Sequence, residues 1–212
     1  MFRVATALLV FLGGFAVMVL EIIGARYLAK DFGGSFYVWT SQIGVILVAL
    51  AVGYAVGGAL ADRVQRMAFL AAPLAAAGLF IVFIPNITPR LVDAIVMRHP
   101  AGQDIPAIWV KLDPAMGSAV VFFLPCLALA LISPFMVRVT ASRLDRVGTI
   151  SGLIYAASTV GSIAGVFMSG YVFIDCFSVT TIFRAMGVLT MLLAVLSLAM
   201  DHWLKAYPNS SK

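Results

Sequence analysis

Apolar residues fill this chain in long blocks, and most of the polar residues fall between them. Six blocks stand out, at 4–28, 37–61, 67–84, 116–139, 148–174 and 179–200. Crossing about 30 Å of hydrocarbon takes about 20 apolar residues of helix, so each block is long enough to span a bilayer. The first block, "VATALLVFLGGFAVMVL" after Arg3, imitates a secretory leader. No clean small-residue cleavage site follows it, and it runs on into Glu21 and Arg26, so it reads as the first span. Residues 85–115 form the one long connection, interrupted by prolines such as Pro100 and Pro106. Within it the patch "LVDAIVM" at 91–97 predicts a short interfacial helix. The pattern predicts one all-α integral membrane domain over 1–212, with six transmembrane helices.

Composition agrees. The chain is 63% hydrophobic and 11% charged, with a mean hydropathy of +1.08, whereas a soluble domain carries about a quarter charged residues. The net charge of +5 raises the question of nucleic acid, but its distribution answers it otherwise. With both ends on one side, that side carries Arg3, Arg63, Arg66, Arg138, Arg143, Arg146, Lys205 and Lys212. The opposite side carries Arg26, Lys30, Arg90, Arg98, Lys111 and Arg184, several of them in the long connection. Asp62, Asp145 and Asp201 fall on the first side, and Glu21, Asp31, Asp93, Asp104, Asp113 and Asp175 on the second. Short loops rich in Lys and Arg stay in the cytoplasm. The basic excess is therefore topological, both termini are expected to be cytoplasmic, and no nucleic-acid partner is expected. Cys126 and Cys176 make no framework and read as apolar fillers, and His99 and His202 lie in connecting segments. Neither a metal site nor a cofactor is expected.

Two spans carry small residues at four-residue intervals. Ala49, Gly53, Gly57 and Ala61 share one face of the second, and Ala157, Gly161, Gly165 and Ser169 one face of the fifth. Such stripes let helix backbones approach closely in lipid. They occupy the middle helix of each set of three, where a 3+3 inverted repeat would put them.

Glu21 and Arg26 are the sharpest candidates for a substrate or ion site. A carboxylate inside a span costs about 3 kcal/mol and normally faces a partner or a wet cavity. Five residues apart, the two do not share a helix face, so Glu21 is expected to look to another helix, with Arg184 as one option. A solute or proton site and a structural ion pair both satisfy this pattern. Tyr37, Trp39, Thr40, Ser41 and Gln42 open the second span, either as an interfacial belt or with Ser41 and Gln42 lining a cavity beside Glu21. Tyr155, Ser158, Thr159 and Ser162 form a polar stripe in the fifth span, either lining a site or bonded back to their own helix. Pro125 and Pro134 each remove a backbone donor from the fourth span and predict kinks.

The end of the second span, "GGALADRVQR", matches the Gly-x-x-x-Asp-Arg-x-x-Arg element of major facilitator transporters through Gly58, Asp62, Arg63 and Arg66. A longer stretch, "LEIIGARYLAKDFGGSFYVWTSQIGVILVALAVGYAVGGALADR", resembles the membrane domain of the fused major-facilitator/spermidine-synthase-like proteins. The stretch "ISPFMVRVTASRLDRVGTISGLIYAASTVGSIAGVFMSGYVFI" is similar to the later helices of that family. The resemblance implies a bundle like half of a major facilitator, with Gly58, Asp62, Arg63 and Arg66 as a gating or cytoplasmic anchoring element. The family's soluble aminopropyltransferase domain has no counterpart before "DHWLKAYPNSSK", so a non-catalytic protein is expected. Three roles remain open: a transporter-like bundle needing a second copy, a membrane module for a separate aminopropyltransferase-like enzyme, or an accessory subunit of a larger membrane complex. The bacterial inner membrane is the expected location. A reporter active only in the cytoplasm should work when fused to either terminus and fail when inserted into 85–115; the reverse pattern would invert this topology.

Overall fold

Six helices long and apolar enough to cross a membrane make up the computed structural model, which describes residues 2–34, 36–64, 66–99, 105–140 and 147–206. The charges assigned above to Asp104, Arg143, Asp145, Arg146, Lys212 and the Arg3 side chain lie outside the described residues. No strand occurs among those described. Helix α1, Phe2–Phe32, ends at Gly33, whose φ of 84° is the left-handed turn that glycine adopts without strain. Helix α2 covers Phe36–Val64, and a short 3-10 turn, Met67–Leu70, leads into α3, Ala71–Val96. The fourth span is α4, Ala107–Ala130, followed after Leu131 by α5, Ile132–Thr140. The fifth is α6, Val147–Met168, continued by a π-helical turn, Ser169–Phe173, and the single turn α7, Ile174–Cys176. Helix α8, Val179–Ala206, is the sixth.

The long connection is shorter than its prolines predict. Helix α3 runs through Pro85 and Pro89 to Val96, and α4 starts at Ala107, so residues 91–95 are the last turns of α3 and not a separate interfacial helix. Pro89 has no N–H to give the carbonyl four residues back, at Pro85, and the Tyr27 hydroxyl of α1 approaches that oxygen at 3.5 Å. Help of this kind from a neighbouring helix lets proline persist inside a span. The remaining connection is pinned by buried Asp113, which accepts a hydrogen bond from Arg98 and lies 2.7 Å from His99 Nε2. The Arg98 guanidinium also stacks 4.0 Å from the Trp109 ring centroid. In the fourth span the helix passes Pro125, and just ahead of Pro134 its regular bonding breaks for one residue, Leu131, whose backbone stays helical at φ -59°, ψ -26°.

Three pairings dominate the packing: α1 on α6, α2 on α4, and α3 on α8. Each is a glycine crossing. A Cβ on Gly161 would land on the Phe11 carbonyl of α1, and one on Gly165 would come within 2.6 Å of the Phe15 carbonyl oxygen. A Cβ on Gly53 would lie 2.7 Å from the Leu127 carbonyl oxygen, and one on Gly57 2.9 Å from the Pro134 ring. Gly78 and Gly187 face each other, with a Cβ on either 2.7 or 2.6 Å from the other's carbonyl oxygen. The first and fourth spans are the most enclosed, and the second and fifth the least. At the end where α1 begins and α8 finishes, Phe2 stacks on Trp203 with ring centroids 6.0 Å apart. There Asp201 accepts from the backbone N–H groups of Met67 and Ala68, satisfying donors that the start of the third span cannot pair internally.

Gly161→Val is expected to destabilise the chain by about 3 kcal/mol or more, since the side chain meets backbone and not a movable neighbour. Gly152→Ala, with nothing within 4 Å of the new Cβ, should leave the melting temperature in detergent essentially unchanged. Equal melting of the two variants would remove the crossing from the account.

Candidate functional site

Val10, Gly14, Val17 and Glu21 follow one another along a single face of α1, at intervals of three or four residues. The first three line a small cavity of about 40 Å³ where α1, α2, the α4–α5 junction and α6 meet. Leu50 and Tyr54 of α2, Leu129, Ala130, Ile132 and Ser133 of the fourth span, and Ser158 and Ser162 of α6 complete its wall. Glycine makes the space: the Ser158 and Ser162 hydroxyls would lie 3.0 and 2.9 Å from a Cβ on Gly14. The Ser162 hydroxyl donates to the Gly14 carbonyl at 3.3 Å. Ser133 is 6% exposed, and its hydroxyl has no partner among the described residues. The break at Leu131 also borders the cavity, where Pro134 supplies no N–H for the Ala130 carbonyl.

Glu21 lies one turn beyond Met18 on this face, half-buried, with the Cys126 thiol within electrostatic reach. It forms no ion pair or hydrogen bond among the described residues. The expected partner is not there. Arg184 is exposed on α8 and makes no pair with Glu21, and Arg26 is exposed on another face of α1. Cys126 is buried and Cys176 exposed, and both are free thiols.

The polar residues of the second span divide. Thr40 is exposed and donates to its own helix at the Phe36 carbonyl, 3.0 Å away, while Ser41 is partly buried. Gln42 is fully buried and joins three spans: it accepts from the Ser118 hydroxyl of α4 at 2.6 Å and donates to the Leu20 carbonyl of α1 at 3.5 Å. Gln42 thus reaches the backbone beside Glu21 and not its carboxylate. In the fifth span Ser158 lines the cavity, and Thr159 is exposed and bonded back to the Tyr155 carbonyl at 2.8 Å. Tyr155 is exposed and stands within electrostatic reach of Tyr54.

At the other end of α2, Asp62 accepts from Arg138 of α5 at 2.7 Å, both side chains being well exposed. Arg63 and Arg66 are exposed, and Gly58 has nothing within 4 Å of a Cβ position. Ala49, Gly53 and Gly57 are buried against the fourth span, as are Gly161 and Gly165 against α1, with Ala157 partly buried. Ser133, Ser118 and Tyr54 are the site residues that spacing alone misses. Ser118 was discoverable as the only Ser or Thr in the first half of the fourth span. Among the described residues, no three His, Cys, Asp or Glu side chains gather as a metal site.

The class is that of a six-span helical protein fitted to a membrane. Compared with known proteins, the chain matches no family model, no curated protein and no solved structure.

Gln42 gives the sharpest stability test. Ser118→Ala strands a buried amide oxygen and should destabilise by about 1–3 kcal/mol. Gln42→Leu combined with Ser118→Ala should lose clearly less than the two single changes added together; strict additivity would show that the bond measured here carries no coupling.

Proposed function

We propose that the chain is a transporter-like bundle, non-catalytic in itself, of the kind that forms one half of an alternating-access carrier. It works with a second copy or a partner subunit and carries a small cationic solute of the polyamine type. The observation that carries this reading is Glu21: a carboxylate well inside the first span, half-buried and without an ion-pair partner among the described residues. An acid at that depth is normally neutralised by a structural cation. Where none is supplied, a transported cation or a proton is the natural counter-charge.

The pairing of helices supports a 3+3 arrangement. Exchanging the two triplets of spans turns the contact of the first span with the fifth into that of the fourth with the second, and leaves the third-with-sixth contact in place. The glycine crossings follow the same exchange, since Gly53 and Gly57 serve the second span as Gly161 and Gly165 serve the fifth. Resemblance to the spermidine-synthase-like membrane domain points the same way. The Asp62–Arg138 pair would then be the cytoplasmic latch, with the termini on the cytoplasmic face of a bacterial inner membrane.

Cells or vesicles carrying the chain, with any partner that co-purifies, should accumulate a labelled polyamine. Glu21→Gln should abolish that uptake, by at least tenfold, at unchanged expression and melting temperature. Uptake that survives Glu21→Gln would remove the carboxylate from the mechanism.

A further inference from the structure

We propose that the serine-lined cavity at the break in the fourth span binds a sodium ion. The residues around the cavity carry neutral oxygens: Ser133, Ser158 and Tyr54 line it, together with Ala130. Ser133 is the decisive member, because the residue is more than nine-tenths buried and lines the cavity, and its hydroxyl makes no hydrogen bond among the described residues. Ser158 is likewise unpartnered among the described residues, while its neighbour Ser162 is already committed to the Gly14 carbonyl.

Size and charge narrow the ligand. A volume of about 40 Å³ has room for roughly three water-sized positions, so it holds an ion with a water or two and no metabolite. Hydroxyl and carbonyl oxygens suit hard cations, and a divalent ion would call for carboxylates in direct contact, none of which lines this wall. A monovalent cation remains. Ala130 lines the cavity, and Pro134, four residues on, has no N–H to give its carbonyl. Glu21, further along the same face of α1, supplies compensating negative charge without entering the coordination sphere. The proposal goes beyond the transport reading and stands on the cavity alone.

The test uses the purified full-length chain in detergent, with radiolabelled sodium binding and thermal unfolding in sodium chloride or choline chloride at equal ionic strength. Saturable sodium binding and a higher melting temperature in sodium are expected. Ser133→Ala and Ser158→Ala should each weaken sodium binding by about tenfold and erase the sodium-dependent rise, with melting in choline unchanged. Ser133→Cys, which puts a soft sulfur in nearly the same volume, should do the same even where the alanine variant folds poorly. Thr159→Ala, on the exposed side of α6, should bind sodium as the parent does. No saturable binding by the parent chain, or binding indifferent to both serines, would overturn the site. Polyamine uptake that needs Glu21 but ignores sodium would leave transport standing and this proposal overturned; sodium binding without uptake would do the reverse.

Discussion

Helices in hydrocarbon gain nothing from hiding apolar surface, so this fold depends on how closely its backbones can approach. At each main crossing a partner's carbonyl or ring occupies the place where a side chain would begin: Phe11 at Gly161, Leu127 at Gly53, and Gly187 at Gly78. That constraint chooses neighbours. Helix α6 meets α1 along Gly161 and Gly165, and its other side turns Val160, Ile163 and Phe167 outward. In water those outward residues would demand cover. In a bilayer the lipid chains solvate them as well as protein would, so the glycine faces alone set the order of the helices.

Polar groups sort along the same frame. Where helices lock, they close on one another: Gln42 with Ser118, Tyr27 with the Pro85 carbonyl, and Asp201 with the amides that open the third span. Around the cavity this closure stops, and Ser133 and Ser158 make no hydrogen bond among the described residues. The Thr6, Thr88 and Ser169 hydroxyls are also buried without partners. They are scattered and do not border the cavity. Unpaired polarity that converges on one space is a different feature from unpaired polarity that is dispersed, because only the first can be satisfied by a single ligand.

The six spans and the two packing stripes were legible because hydrophobic length and four-residue spacing are local properties. Helix α3 was read too short, ending near Ile84, since Pro85 and Pro89 look like terminators until Tyr27 is known to stand beside the freed carbonyl. Glu21 was visible as an intramembrane acid, yet its isolation was not, because Arg184 and Arg26 are compatible partners in sequence and only the helix faces exclude them. Gln42 was placed beside Glu21 and in fact serves as a three-span brace. Ser133 stood in the sequence only as part of a family likeness. Its significance comes from an unbroken Pro125 turn and a broken Leu131 turn, a distinction that two similar prolines in one span do not announce.

The break itself is held from two sides. A Cβ on Gly57 of α2 would lie 3.0 Å from the Leu131 Cα, and one on Gly13 of α1 would lie 3.0 Å from the Ile132 side chain. Packed this closely against two glycine faces, the Leu131–Ile132 stretch has little room to shift. The cavity beside it therefore keeps its wall in place. Access has to come from the wall that is least packed, the side where Tyr54 and Tyr155 stand exposed on the two least enclosed spans.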